Sequence, residues 1–245
     1  MIPAAKSAAF SRWFAGQIRG RMRRSFSAVR VKGAAHASEA AAAGSLLAVS
    51  NHTAWWDPLA ALVLNEAATK LDGYALMDAK NLRRLPFFAR IGGFGADLDR
   101  PGDAAAALRY GAKLLREPGR LVWVFPQGRE RPISERPLGF ASGAAAMARL
   151  AQVRTLPVAL RYEFGEAEKP ELRIAVGAPI DPLPSVDLLA SRQERAVVEL
   201  LDGIDLDLRA GSVEGWETLL EGSAEPLAKL AERWLAFFTR GAVRG

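Results

Sequence analysis

Leu46-Leu47-Ala48-Val49 runs directly into Ser50-Asn51-His52-Thr53-Ala54-Trp55-Trp56-Asp57-Pro58, and the rest of the fold is read outward from this stretch. Four consecutive apolar residues suit a short strand buried on both faces, and residues 58–70 follow with helical spacing. Strand, loop and helix in that order make one unit of a parallel α/β sheet. The polar loop then lies at the carboxyl end of a strand, the edge where open α/β sheets bind ligands. His52, with Asp57 five residues on, supplies the minimum for a base and its orienter. The carboxylate accepts one ring N–H, and the other nitrogen is left to take a proton. Plainer readings stand beside this one. Asp57 before Pro58 is also an ordinary helix N-cap, and His52 alone could be a satisfied structural histidine. Trp55 and Trp56 read as packing residues or the wall of an apolar cleft.

The alternation continues on both sides. A short strand is expected at 29–32, and 36–44 is an Ala-rich connection that places His36 in an exposed loop. Residues 79–91 read as a helix broken by Pro86 and ended by a Gly92-Gly93-Phe94-Gly95 turn. Helix is expected at 104–116, strand at 121–125, helix at 139–151, and strands at 155–162 and 172–176. A helix at 192–201 follows, and Leu227, Leu230, Ala231, Trp234, Leu235 and Phe238 mark the stripe of a last one, read as core packing. The expected architecture is α/β, a mostly parallel sheet flanked by helices, preceded by an N-terminal amphipathic helix.

Composition narrows the chemistry. Among 245 residues there is no cysteine and only two histidines, His36 and His52, so thiolate metal sites and cysteine nucleophiles are excluded. A catalytic zinc would have to be completed almost wholly by carboxylates. No apolar run approaches the ~18 to 20 residues that cross a bilayer. Gly93-Phe94-Gly95 lacks the third glycine of a dinucleotide fingerprint, and Ser142 in Gly139-Phe140-Ala141-Ser142-Gly143 stands at the wrong place for a serine-hydrolase elbow.

The charge is uneven. Of 33 Lys and Arg, eight precede the first acid, Glu39, which leaves 25 basic residues against 27 acidic ones. The positive charge belongs to an N-terminal arm, residues 1–28, which holds six of those eight with Arg30 and Lys32 just after it, and 29–245 form a nearly neutral body. On a helical projection Phe10, Trp13, Phe14, Ile18 and Met22 share one half of the circumference, with Arg12, Arg19 and Arg23 on the other. That pattern reads as an interfacial, membrane-contacting helix. An ordinary first helix docked on its own domain, a transit peptide and a nucleic-acid-binding stretch are the competing readings, and no nucleic-acid partner is expected.

Asn51-His52-Thr53-Ala54-Trp55-Trp56-Asp57 resembles the Asn-His-x-Ser-x-x-Asp block of the glycerolipid acyltransferase superfamily, which includes the lysophospholipid and 1-acyl-glycerol-3-phosphate acyltransferases. Three later segments agree in order. Gly95-Ala96-Asp97-Leu98-Asp99-Arg100 is similar to a block that ends in a phosphate-binding Arg. Val124-Phe125-Pro126-Gln127-Gly128 is similar to Phe-Pro-Glu-Gly-Thr-Arg, and Leu156-Pro157-Val158-Ala159-Leu160 to a proline-led strand. The resemblance covers about 29–180. It implies that His52 acts as general base, taking the proton of an acceptor hydroxyl as that oxygen attacks an acyl thioester, with Asp57 orienting the imidazole. It further implies acceptor binding by Asn51, Arg100, Pro126, Gln127, Gly128, Arg129 and Arg131, and no cofactor beyond acyl-CoA or acyl carrier protein as co-substrate. The amphipathic arm, with basic residues interrupting any secretory-type apolar core, leads to the expectation of a peripheral position on the cytoplasmic face of a membrane.

Departures from the pattern bear on substrate. Gln127 stands where the family has Glu, Arg129 where it has Thr, and Glu130 where it has Arg, with Arg131 one step on. Asp97 replaces an apolar residue, and Ser142 a Lys. Glycerol-3-phosphate is therefore a doubtful acceptor, and a lysophospholipid or another lipid hydroxyl is open. The rival readings are a CoA-independent transacylase or hydrolase, and a catalytically silent lipid-binding protein of the same fold.

Overall fold

The computed structural model describes residues 1–97 and 100–223. The chain runs α1 (Ala8–Ser25), β1 (Ala28–Lys32), α2 (Ala34–Ala42), β2 (Leu46–Ser50), α3 (Asp57–Leu64), a π-helical turn (Asn65–Thr69), β3 (Asp72–Asp78), α4 (Ala79–Arg84), α5 (Phe87–Arg90) and β4 (Gly93–Ala96). It continues with α6 (Pro101–Arg116), β5 (Arg120–Val124), α7 (Gly143–Ala151), β6 (Arg154–Glu163), β7 (Glu171–Val176), α8 (Val186–Arg209) and β8 (Trp216–Glu221). The strands form one sheet in the order β4-β3-β5-β2-β6-β7-β1-β8. Pairings from β4 across to β6 are parallel, as is β1 with β7, while β6–β7 and β1–β8 are antiparallel.

The pleat divides the central strands between two cores. On β2, Leu47 and Val49 face a layer with Ala112, Leu115, Met147 and Val197, drawn from α6, α7 and α8. Leu46 and Ala48 face the other layer with Ile18, Met22, Ala40, Leu59 and Leu64, drawn from α1, α2 and α3. A strand covered by helices on both faces must be apolar at every position, which is the pattern at 46–49.

Several elements depart from expectation. Residues 36–44 are largely helix α2, with His36 exposed on it, and α8 is longer than 192–201. Strands β3 and β8 were not anticipated. The segment read as a glycine turn is strand β4, and its glycines serve close approach. A Cβ at Gly93 would stand 2.9 Å from the Phe88 carbonyl oxygen, and one at Gly95 3.1 Å from the Ala79 Cα. The stripe from Leu227 to Phe238 lies outside the described residues.

The N-terminal segment packs on the body. Ile2 bridges Gly95, Ser7 caps α1 by accepting from the Phe10 N–H, and Arg19 pairs with Glu66 at 2.5 Å. Ala15, Ile18 and Met22 fall on one line of the helix and are buried. Ile18, 6% exposed, belongs to the core rather than to an outward membrane-contacting face, which corrects its assignment. An apolar arc this wide divides in two. The inner line covers the sheet, and the outer one leaves Trp13 58% exposed, with Phe10 and Phe14 half-buried beside it. Phe14 leans on Phe87 at a ring separation of 5.5 Å, and the Arg90 guanidinium covers Phe10.

Candidate active site

Strand β2 ends at Ser50, and the sheet hands its last pairing to a side chain. Asn51 is buried, its Oδ1 accepting from the Leu160 N–H at 2.8 Å and its Nδ2 donating to the Leu160 carbonyl at 2.9 Å. The amide thus continues the β2–β6 seam and fixes where the loop leaves the sheet. Both of its polar atoms are bonded to main chain, and the side chain is buried and does not line the cavity on which His52 opens.

His52 is held from both sides. Its N–H donates to Gln127 Oε1 at 2.6 Å, and its carbonyl accepts from the Arg131 N–H at 2.9 Å. Gln127 comes from the turn after β5, where Gly128 takes φ 72° and its N–H donates to the Phe125 carbonyl. That left-handed conformation suits glycine. The buried Pro126 accepts from the Ala141 N–H, and the imidazole stacks on Phe125 with ring centroids 4.7 Å apart.

The imidazole Nδ1 lies 2.8 Å from Asp57 Oδ2. The same oxygen accepts from the Thr53 N–H at 2.6 Å and the Ala54 N–H at 2.9 Å, and Oδ1 accepts from the Tyr162 hydroxyl at 2.6 Å. Asp57 is 0% exposed and opens α3, yet its carboxylate turns back to the loop before the helix. The N-cap reading is therefore not the geometry found. Four donors thus converge on the two oxygens of this buried carboxylate. With Nδ1–H given to Asp57, Nε2 carries the lone pair, and the group can take a proton from a hydroxyl or water.

Tyr162 has no signal in the sequence, because it stands 105 residues from Asp57 and meets it only through the pairing of β6 with β2. Burial, followed by the charge of Asp57 and the hydrogen bond to it, raises the phenol well above its ordinary value. It remains a donor throughout the physiological range.

His52 opens on a cavity of about 950 Å³, walled by Trp55, Leu59, Leu62, Leu71, Met77, Phe88, Ile91, Trp123 and Phe125, and by Ala8, Ser11, Arg12 and Ala15 of the N-terminal segment. Both ends of β3, Asp72 and Asp78, lie on the wall. Six strand steps of ~3.3 Å make its length about 20 Å. The far end is polar: Lys6 Nζ donates to the Gly73 carbonyl at 2.6 Å and to Asp72, which also pairs with Arg120. Burial, then the Arg120 charge, lowers Lys6 to about 8.

The other nominated residues are dispersed. Gly128 and Arg129 line the cavity with His52, and Gln127 stands behind the histidine. Arg131 turns to Glu135 at 2.8 Å. Arg100 is 80% exposed before α6, 3.4 Å from Asp97. Among the described residues no group of three or more His, Asp or Glu side chains is placed to hold a metal ion.

The fold thus presents a histidine–carboxylate pair at the carboxyl edge of a mostly parallel α/β sheet, beside a long cavity with largely apolar walls, as an α/β enzyme does. A sequence model of the acyltransferase family matches residues 28–161, more than half of the chain, and the chain belongs to that family, within the glycerolipid acyltransferase superfamily. A 1-acyl-sn-glycerol-3-phosphate acyltransferase of Streptococcus pneumoniae is 31% identical over 142 residues, which are 54% of this chain and 49% of that protein. The chain thus matches about half the length of this curated relative. The crystal structure of the 1-acyl-sn-glycerophosphate acyltransferase PlsC from Thermotoga maritima superposes with a TM-score of 0.60 at 20% identity, covering 80% of this chain and 81% of that one, and shows the shared fold.

Proposed function

We propose that this protein moves a fatty acyl group from acyl-CoA or acyl carrier protein to a hydroxyl of a lysophospholipid, with 1-acyl-glycerol-3-phosphate the first acceptor to test. The observation that carries the reading is the His52–Asp57 pair, 2.8 Å apart and opening on an apolar cavity of about 950 Å³. The acceptor hydroxyl gives its proton to His52 Nε2 as its oxygen attacks the thioester carbonyl. The imidazolium so formed is stabilised by Asp57 and returns the proton to the leaving thiolate. No acyl-enzyme and no cofactor are required. General base assistance is worth ~10² to 10⁴ in rate, and alignment of the two substrates supplies much of the rest. The cavity along β3 takes the acyl chain and Arg129 binds an anionic group of the acceptor; its exposure on the cavity wall with His52 supports that role.

The protein works at the cytoplasmic face of a membrane, as a peripheral enzyme. Supporting the membrane contact, though not the choice of face, are Trp13 and Trp55, exposed at 58% and 53%, with Arg12 on the cavity wall and Arg21 5.3 Å from the Trp55 ring. No helix among the described residues is long and apolar enough to cross a bilayer.

The test is thiol release from a long-chain acyl-CoA by the purified protein, with and without a total polar-lipid extract, beside His52→Ala. Release that requires both the lipid and His52 supports acyl transfer to a lipid. Release with acyl-CoA alone indicates a thioesterase. No release above the variant, with acyl-CoA or acyl carrier protein as donor, overturns the reading.

A further inference from the structure

Asp57 divides its two oxygens unequally. Oδ2 serves the imidazole and two loop N–H groups, and Oδ1 has Tyr162 as its donor. We propose that Tyr162 is a positioning residue of the His52–Asp57 pair, its hydroxyl fixing the carboxylate so that Oδ2 meets Nδ1 and moderating the charge that Oδ2 presents to the imidazole. This rests on the reading of His52 as base, and its measurement is chosen to stand without it.

The support is geometric. A carboxylate on a single Cβ–Cγ bond can rotate, and two N–H donors on one oxygen leave the other free to swing. The phenol reaches Oδ1 from β6, across the sheet from the loop, so the two ends of the carboxylate are anchored by different elements. Tyr162 is itself held in place. Its ring lies 5.8 Å from that of Phe26, the residue that ends α1, and Phe26 meets Trp56 edge-on at 5.0 Å. The N-terminal helix thereby buttresses the phenol and the loop that carries His52. Tyr162 lies outside the cavity wall and touches no reacting atom.

Loss of the hydroxyl has two consequences. Oδ1 is left buried without a donor, so the carboxylate loses its fixed orientation. The negative charge concentrates on Oδ2, which strengthens the hold on a protonated imidazole, so His52 gives up its proton at higher pH. The charged groups on the cavity wall, Arg129 and Glu130 after β5, Asp72 and Asp78 at the two ends of β3, Arg84 at the end of α4, and Lys6, Arg12 and Glu66, are unchanged in the comparison.

The measurement is a ¹⁵N NMR titration of the imidazoles in the wild type and Tyr162→Phe. The chain has only His36 and His52, and His36→Gln assigns the signals. The expected result is that the His52 midpoint moves to higher pH in Tyr162→Phe, while His36 does not move. In the steady state, kcat falls about tenfold or more, since a hydrogen bond to a charged group is lost, and the KM for acyl donor changes less than twofold. The acidic limb of the pH–rate profile moves in the same direction as the NMR midpoint. A folded Tyr162→Phe whose His52 titration and tautomer match the wild type overturns the proposal, as does a variant that loses only thermal stability. If His52→Ala retains acyl transfer, the base assignment fails, and the NMR comparison still decides the part played by Tyr162.

Discussion

Asp57→Asn separates orientation from charge. In the wild type, three N–H donors converge on Oδ2 and one O–H on Oδ1. The N–H donors have fixed hydrogens, whereas a phenol can turn its hydrogen away and accept. The replacing amide is therefore expected to place its oxygen at the Oδ2 position and its NH₂ toward Tyr162. His52 then keeps its tautomer, with Nε2 free, and loses only the partner charge. Two unit charges about 4 Å apart interact by about 4 kcal/mol at an effective dielectric of ~20, which corresponds to about a thousandfold in kcat. The opposite amide orientation would impose the wrong tautomer and a loss nearer ten-thousandfold. Asp57→Ala differs in stability. It leaves several buried donors unpaired at about 1–3 kcal/mol each and lowers Tm by about 10 °C, whereas Asp57→Asn stays within a few degrees. The assay is single-turnover thiol release at saturating acceptor, paired with thermal melts. If Asp57→Asn keeps more than a tenth of wild-type kcat, or if Asp57→Ala melts no lower than Asp57→Asn, the reasoning is refuted.

Other expectations follow from the same geometry. Trp13→Ala removes an aromatic that is 58% exposed on α1 and should weaken partition into anionic vesicles by about tenfold in a sedimentation assay, with turnover on detergent-dispersed substrate little changed. Equal pelleting would argue against the outer face of α1 as a membrane contact. Gln127→Leu takes away the acceptor of the buried His52 N–H and should cost about 1–3 kcal/mol in urea denaturation, with a lower kcat; unchanged stability would contradict the role given to that amide. Lys6 sits at about 8 when folded against an ordinary 10.5, so between these values the unfolded chain binds the extra proton. Stability contributed by this site then rises with pH across that window, by up to about 1.4 kcal/mol per pH unit. Lys6→Met should accordingly gain stability relative to wild type at pH 7, and that advantage should shrink toward pH 10. A constant difference across this range would show that Lys6 is not destabilised by burial.

His52 and Asp57 were legible because one loop carries both, five residues apart, between a fully apolar strand and a proline-led helix. Local spacing constrains such a pair before any long-range contact forms. The strands at 46–49, 121–125 and 155–162 were legible for the same kind of reason, since burial on both faces leaves an unbroken apolar run. Strand β3 was not, because its Asp72, Tyr74 and Asp78 put polar groups on the cavity wall and break that pattern. The outward and inward lines of α1 were merged, since helical periodicity reports an apolar arc and not which neighbour covers each part of it. Partners distant along the chain were invisible for a further reason. Tyr162 meets Asp57, Leu160 occupies Asn51, and Lys6 reaches Asp72 only once strand order and register have been set. Side-chain chemistry at 50–58 limits what the site can do, but the distances that let it act are fixed by which strands lie side by side.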